Sequence, residues 1–232
     1  AGLIADEPEN FYPLPDCYHS TAEVWEKLEN YQTMYPDLVR FEAVGFSHRD
    51  RQPLYLMRIS ENVHQEQNKP EIVYCGPHHA EEPLAVEIVM GIADSLLNGY
   101  SQNDPAILNW LENCEILILC DLNPDGHDEV LAGQWAYKRK NGYDSNQNGI
   151  YEQYEDGVDI NRQYDHYWDI TEVLPPSHEN YKGEAPFTML EIVSWRDFLL
   201  KERPQMIIYY HSATSGNINE RIYYPGKWAL GG

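Results

Sequence analysis

The chain of 232 residues carries 16 basic and 38 acidic side chains, which give a formal net charge of −22, and 42% of its residues are hydrophobic. This composition excludes a disordered chain, and the length predicts one domain with its own core. The acidity argues against nucleic acid and anionic membranes as partners, because both need clustered Lys and Arg, and no apolar run approaches the about 18 residues of a membrane span.

The first part of the chain predicts an irregular lead-in, a helix and two strands. The lead-in covers residues 1–17 and is rich in Pro, Glu and Asp. Apolar residues at helical spacing predict a helix over Ala22–Met34, for which Ser20 offers a cap. Two alternating segments, Val39–Gly45 and Leu54–Ile59, predict strands joined by a polar turn.

The middle of the chain alternates buried-type strands with helices. The strands are expected at Glu71–Cys75 and Ile116–Cys120, and the helices at Leu84–Leu97 and Pro105–Glu112. The segment Asn123–Gly126 follows the second of these strands and has the composition of a turn.

A long acidic and aromatic loop over residues 133–185 precedes the last predicted elements. A loop of this length in a compact domain is usually functional. Residues Met189–Lys201 predict a helix and Met206–Tyr210 a strand. The alternation predicts an α/β domain over residues 18–232, built on a mixed, mostly parallel twisted sheet that is flanked by helices and has ligands at the strand ends.

Three side chains that can bind a metal lie just after two of the predicted strands. His79 and Glu82 are three residues apart on a turn, so an imidazole and a carboxylate can reach one ion from the same side. His211 follows the last strand. A catalytic zinc takes three protein ligands and keeps a fourth position open. The pattern predicts a zinc site, although the His79–Glu82 pair taken alone is more typical of an ordinary surface pair.

Five motifs resemble those of the zinc carboxypeptidases of the carboxypeptidase A/T type, and they occur in the order found in that family. They are the zinc-binding segment 76–83, N-P-D-G at 123–126, D-x-N-R at 159–162, Y-x-G-x-x-P-F at 181–187 and H-S at 211–212. The resemblance begins at about Tyr18. It implies the fold of this family and a peptidase that removes C-terminal residues from peptides.

The resemblance also implies roles for individual residues. His79, Glu82 and His211 correspond to the zinc ligands, and Asp159 to the carboxylate that fixes the ring of His79. Arg139 matches the arginine that stabilises the oxyanion formed from the scissile carbonyl. The alternative for Arg139 is a solvated cluster of basic residues.

A further pair corresponds to the residues that bind the C-terminal carboxylate of the substrate. These are Asn161 and Arg162. A guanidinium fork recognises a planar carboxylate through two parallel hydrogen bonds, which a lysine cannot make. The alternative is a buried ion pair with one of the many carboxylates of the chain.

The chain departs from the family pattern in two places. Glu81 stands where many members carry an arginine. In the family, the tyrosine that closes over the substrate and the glutamate that acts as general base follow the last zinc ligand by about a strand-and-helix pair. Neither is assigned within these 232 residues. We therefore expect the last part of the domain to be missing here, and a continuation or a second fragment to complete it.

The long loop contains a second metal motif. Residues 144–155 fit the twelve-residue calcium-loop pattern D-x-N-x-N-G-x5-E at every constrained position. The predicted ligands are the side chains of Asp144, Asn146 and Asn148, the backbone carbonyl of Ile150 and the carboxylate of Glu155. The alternative is an Asn- and Asp-rich turn without a metal.

These observations predict a zinc metallocarboxypeptidase that hydrolyses C-terminal peptide bonds through a zinc-activated water. Its substrate would be a peptide with a free C-terminal carboxylate, and calcium would be a structural ion. Two alternatives are a peptidoglycan stem-peptide peptidase of the same family and a non-catalytic, calcium-stabilised binding protein on this fold. The first residue is Ala, not Met, which favours a secreted or periplasmic protein whose leader was removed.

Overall fold

The computed structural model describes residues 17–134, 137–212 and 222. The predicted lead-in therefore lies outside the described residues, apart from its last residue. The helices and strands, in chain order, are α1 (Thr21–Met34), β1 (Val39–Phe46), β2 (Pro53–Ile59), β3 (Glu71–Cys75), α2 (Pro83–Ser101), α3 (Pro105–Asn113), β4 (Glu115–Leu119), α4 (Pro124–Leu131), α5 (Leu190–Glu202) and β5 (Met206–Tyr209). The long loop contains two short 3-10 turns, Ile160–Arg162 and Trp168–Ile170.

The five strands form one sheet in the order β1-β2-β4-β3-β5. β2 runs antiparallel to both β1 and β4, whereas β3 runs parallel to both β4 and β5. The predicted mixed sheet flanked by helices is confirmed. Among the described strands, parallel and antiparallel pairings are equal in number, so the parallel majority that we expected is not present in this part of the sheet.

Both faces of the sheet are covered, which explains the continuous apolar sequence of the central strands. All five residues of β4 are buried, as a strand packed on two sides requires. One face packs against α1 and α2, with Leu28 and Val89 in its core. The other face packs against α5, where Trp195 is completely buried. This sandwich of helices around the sheet fixes the positions of the strand ends.

The start of α1 agrees with the cap expected from the sequence. Ser20 accepts a hydrogen bond from the backbone N–H of Glu23 through its hydroxyl oxygen, and the Glu23 carboxylate accepts the backbone N–H of Ser20 in return. This reciprocal arrangement satisfies two N–H groups that the helix itself cannot bond.

The segment Asn123–Gly126 begins helix α4, so its interpretation as a simple turn was wrong. Pro124 occupies the first helical position, where a missing N–H has no intrahelical partner to lose. Asn123 caps the helix by accepting the N–H of Gly126 at 3.3 Å. The N-P-D-G composition is typical of helix starts as well as of turns.

No helix in the described ranges is both long and apolar enough to span a bilayer.

Candidate metal centre

The three predicted metal ligands converge at the ends of two neighbouring parallel strands. β3 and β5 are paired, His79 lies shortly after β3, and His211 lies shortly after β5. Glu82 immediately precedes α2 as its N-cap residue. One ligand atom from each of the three side chains lies within 4.8 Å of the others. The carboxyl ends of parallel strands are where α/β sheets place their ligands.

The carboxylate of Glu82 lies between the two imidazoles. Its Oε1 is 3.1 Å from Nδ1 of His79, and its Oε2 is 2.8 Å from Nδ1 of His211. His79 and Glu82 are each only 4% exposed, whereas the side chain of His211 is 35% exposed. The cluster is therefore buried on one side and accessible from the side of His211.

The electrostatics of the cluster favour an ionised carboxylate. Burial alone would raise the pKa of Glu82, but its contacts with His211 and His79 lower that pKa to about 2. Burial alone would lower the pKa of His79, and its contacts with Asp159 and Glu82 raise it instead. A site that keeps its carboxylate charged beside two imidazoles has the donor set of a catalytic zinc.

Asp159 is buried directly behind the cluster. Its Oδ1 lies 3.3 Å from Nε2 of His79, and the same oxygen accepts the backbone N–H of Asn161 at 2.9 Å. Burial would raise the pKa of Asp159, but the contact with His79 and the charge of Arg139 hold it well below its usual range. The structure thus brings Asp159 within 3.3 Å of the ring nitrogen of His79 that points away from Glu82.

Arg139 bridges Asp159 and the cluster. Its Nε and Nη2 both lie 2.9 Å from Oδ2 of Asp159, and its Nη1 lies 3.4 Å from Nδ1 of His79. The same Nη1 is 3.7 Å from the carboxylate of Glu81, the residue that departs from the family pattern. The neighbouring Lys138 and Lys140 are only 0% and 2% exposed, which contradicts the alternative of a solvated basic cluster.

Asn161 and Arg162 lie on the 3-10 turn that follows Asp159. Both are half-buried, and the positive charge of Arg162 contributes to the low pKa of Asp159. Nη1 of Arg162 is 3.4 Å from the carbonyl oxygen of Asn161. Among the described residues, Arg162 forms no direct ion pair with a carboxylate.

Asn123 and Gly126, which belong to the N-P-D-G motif, support the backbone of the zinc-binding segment at His78 and Ala80, a role that the sequence analysis did not assign to them. Nδ2 of Asn123 donates to the carbonyl oxygen of His78 at 3.0 Å. A Cβ on Gly126 would lie 2.7 Å from Cβ of Ala80, so only glycine allows α4 to approach this closely. The N-P-D-G motif thus holds the backbone that carries His79, and its position directly after a buried strand is the signal that could have indicated this role.

The predicted calcium loop folds into a compact turn that brings together only part of its predicted ligand set. Asp144 accepts the N–H of Gly149 at 2.8 Å, and Gly149 has a φ of +83°, which favours glycine at the sharp turn. The side-chain amides of Asn146 and Asn148 donate to Glu152 at 3.0 and 3.1 Å. Ile150 and Glu155 are exposed. The calcium site stays a prediction. Both asparagines are hydrogen-bonded to Glu152, whereas the sequence pattern named Glu155 as the carboxylate ligand.

Both lysines that flank Arg139 are anchored in the calcium loop. Nζ of Lys138 donates to the hydroxyl of Tyr151 and, at 3.3 Å, to the carbonyl oxygen of Gln153. Nζ of Lys140 donates to the carbonyl oxygen of Glu155 at 3.2 Å. The loop and the backbone that carries Arg139 are therefore connected through two buried cations.

The chain belongs to the zinc carboxypeptidase family. The model of that family, described as "Zinc carboxypeptidase", matches residues 24–229. This match includes the cluster at the strand ends, Arg139, Asp159 and the calcium loop.

Curated relatives agree with this family. A zinc carboxypeptidase of Saccharothrix mutabilis subsp. capreolus is 32% identical over 152 residues, which are 65% of this chain and 33% of that protein. Carboxypeptidase B of Astacus astacus is 26% identical over 198 residues, 84% of this chain and 61% of its own length. The inactive metallocarboxypeptidase ecm14 of Sclerotinia sclerotiorum is 28% identical over 225 residues, 95% of this chain and 35% of that protein. The chain thus spans about one third to three fifths of the length of these relatives.

Solved structures show the same architecture. Bovine thrombin-activatable fibrinolysis inhibitor, solved in complex with tick carboxypeptidase inhibitor, matches with a TM-score of 0.69 and 25% identity over 84% of this chain and 61% of that one. Carboxypeptidase A from Helicoverpa armigera matches with a TM-score of 0.72 and 24% identity over 85% of this chain and 46% of that one. The second likeness supports the fold alone. In both cases, the described sheet and helices correspond to part of a larger domain.

Proposed function

We propose that this chain forms the zinc-binding part of a metallocarboxypeptidase that hydrolyses the C-terminal peptide bond of its substrates. The observation that carries the proposal is the convergence of His79, Glu82 and His211, with ligand atoms within 4.8 Å of one another. The family match is consistent with it. The alignment with only part of each relative leaves the activity itself a matter for experiment.

The three side chains fit a zinc ion because two imidazoles and one carboxylate form a common catalytic zinc site. The accessible side of the cluster, at His211, leaves room for a water molecule and a substrate. Zinc bound there would act as a Lewis acid that activates water and polarises a carbonyl. Asp159 would hold the ring of His79 through Nε2, so that Nδ1 stays directed at the ion.

Arg162 and Asn161 would bind the C-terminal carboxylate of the substrate. The guanidinium of Arg162 is half-buried, and within the described residues it forms no direct ion pair with a carboxylate, although its charge lowers the pKa of Asp159. A half-buried guanidinium whose N–H groups are not occupied by a carboxylate is suited to bind an anionic group from a ligand. This arrangement would make the site select peptides with a free carboxyl end.

Arg139 would stabilise the negative charge that develops on the scissile carbonyl oxygen. Asp159 occupies its Nε and Nη2, so the guanidinium is fixed in one orientation with Nη1 on the side of the metal ligands. A donor held in place before the reaction stabilises an oxyanion without further reorganisation.

The experiment compares an N-blocked dipeptide that has a free carboxylate with the same dipeptide as its C-terminal amide, on protein expressed from the complete gene. We expect turnover of the acid and at least about 100-fold slower turnover of the amide, since the amide cannot accept two charge-assisted bonds. The variant Arg162→Lys should lose most of this preference, and the exposed Arg203→Lys is its matched control. Equal turnover of acid and amide would contradict the proposal.

We also propose that the general base and the closing tyrosine come from a continuation or a second fragment outside these 232 residues. The chain covers no more than 61% of the relatives and structures described above, which is consistent with this division. Without a general base, hydrolysis should be about 10²–10⁴-fold slower. Intact mass and the dipeptide assay together test this, and full turnover by a protein of 232 residues would contradict it.

A non-catalytic binding protein is the second candidate, because one relative that matches 95% of this chain is described as an inactive metallocarboxypeptidase. Such a protein would bind zinc and the free-acid dipeptide without hydrolysing it. Calorimetry of peptide binding, with product analysis of the same sample, separates the two candidates.

The proposed structural calcium site lies in the loop 144–155. Its support is the match at every constrained position, the positive φ at Gly149 and the grouping of Asn146 and Asn148 around Glu152. Oxygen ligands of this kind bind calcium in preference to softer metals.

A further inference from the structure

Two side-chain hydrogen bonds and a ring contact support His78 behind the metal cluster. Nε1 of Trp195 donates to the hydroxyl of Tyr209 at 3.0 Å, and the ring of Tyr209 lies against that of His78 with centroids 5.1 Å apart. The hydroxyl of Tyr164 lies 2.7 Å from Nε2 of His78. These contacts connect α5, β5, the segment after the D-x-N-R motif and the zinc-binding segment.

The ring of His78 is held by contacts on more than one side. Nε2 is hydrogen-bonded to the hydroxyl of Tyr164, and the ring of Tyr209 packs against the imidazole. Nδ1 is buried and has no hydrogen-bond partner among the described residues. The bond with Tyr164 therefore orients this imidazole.

The ring of His78 lies against the metal ligand His211. Their ring centroids are 5.5 Å apart and their planes differ by 9°, whereas the rings of His79 and His211 are tilted by 44° at 4.9 Å. His78 is 2% exposed, and the side chain of His211 is 35% exposed. His78 thus presents a buried, flat surface to the most exposed of the three ligands.

We propose that Tyr164 and His78 are positioning residues of the metal centre, which hold the imidazole of His211 in the plane required for metal binding. The inference rests on the proposed zinc site. A ligand that is already oriented loses less conformational freedom when the ion binds, so the affinity for the metal is higher. Because His211 follows the last strand and is the most exposed ligand, it gains most from such a support.

The test is zinc affinity measured by competition with a chelator, together with the visible absorption of the cobalt-loaded protein. Tyr164→Phe keeps the ring and removes only the hydroxyl, and we expect about tenfold weaker zinc binding and a changed cobalt spectrum. His78→Leu removes the flat surface and should weaken zinc binding at least as much. Tyr209→Phe keeps the ring against His78 and removes the hydroxyl that accepts from Trp195, so it provides a second conservative variant.

The matched control is Tyr31→Phe, which removes a buried hydroxyl that bonds Asp94 in the packing of α1 on α2. It should leave zinc affinity and the cobalt spectrum unchanged. Zinc affinities of Tyr164→Phe, Tyr209→Phe and His78→Leu within about twofold of the wild type would overturn the inference and leave the proposed function intact. A wild type that does not bind zinc would overturn both.

Discussion

The zinc cluster and the calcium loop are held by different parts of the fold. The proposed zinc ligands are separated by up to 132 positions in the numbering, from His79 to His211, and the parallel pairing of β3 and β5 brings them together. The calcium-loop residues are near neighbours in sequence, and most of them are exposed. A sheet can assemble a site from a pattern that is weak in sequence, whereas a strong local motif fixes only a local turn.

The two regions also differ in the burial of their carboxylates. Glu82 and Asp159 are buried between imidazoles and a guanidinium, and both have lowered pKa values. Glu152 and Glu155 lie on the surface of the calcium loop. The carboxylates of the proposed zinc cluster are therefore held by charged partners within the protein, whereas the proposed calcium ligands would depend more on an ion for their final arrangement.

The largest expected effect is the loss of zinc when a ligand of the cluster is removed. His79→Ala and His211→Ala each leave two protein ligands, which make a poor tetrahedral site, so zinc should be lost on dialysis. Elemental analysis of the dialysed proteins measures this. His64→Ala changes an exposed histidine outside the cluster, so it is the control and should keep its zinc. Retention of zinc in both cluster variants would disprove the ligand assignment.

The next largest effect concerns a buried carboxylate that packs against the segment between Arg139 and the calcium loop. Burial, together with the charge of Asp125, raises the pKa of Glu191 from its ordinary value of 4.5 to about 7, although hydrogen bonds from His48 and Asn141 oppose this shift. The folded state therefore binds a proton more tightly than the unfolded state, and stability falls as the pH rises from about 4.5 to about 7. The expected loss is about 3 kcal/mol.

Urea unfolding at several pH values tests this dependence. Between pH 4.5 and 7, the free energy of unfolding of Glu191→Gln should change less with pH than that of the wild type, because the amide does not titrate. Glu184→Gln, a more exposed carboxylate in the preceding loop, is the control. Identical pH profiles for Glu191→Gln and the wild type would contradict a raised pKa at this position.

The smallest of these effects is the stabilisation by calcium. Calcium at 100 times its dissociation constant should add about 2.7 kcal/mol to the free energy of unfolding. Replacement of Asp144 and Glu155 by Ala should abolish this gain, and the comparison with Asp144→Ala plus Glu152→Ala shows which glutamate is the ligand. Thermal unfolding with and without calcium measures it. A gain that persists in all these variants would mean that calcium binds elsewhere on the acidic surface.

The sequence predicted which side chains converge at the strand ends better than it predicted the sheet around them. Apolar runs and strand ends indicated β3 at its observed bounds and placed His79 and His211 after strands. Strand direction could not be read from such runs, because a buried parallel strand and a buried antiparallel strand have similar composition. Helix α4 was missed because Asn, Pro, Asp and Gly favour turns and helix starts alike.

The supports of the site were the least predictable part. His78 and Tyr164 are 86 positions apart, and no local pattern indicates that one hydroxyl will meet one imidazole across that separation. The same holds for the anchoring of Lys138 in the calcium loop, where three consecutive basic residues suggested a solvated cluster. Such contacts depend on the packing of complete elements, which sequence periodicity does not specify.

The most direct test of the zinc site is X-ray absorption at the zinc edge on the zinc-loaded protein. We predict a shell of nitrogen and oxygen ligands at about 2.0–2.2 Å, with the outer-shell scattering of two imidazoles, from His79 and His211. In dialysed His211→Ala, the zinc-edge signal itself should be lost, because two protein ligands do not retain the ion. A shell of oxygen ligands without imidazole scattering in the wild type would contradict the assignment of His79, Glu82 and His211 as the metal centre.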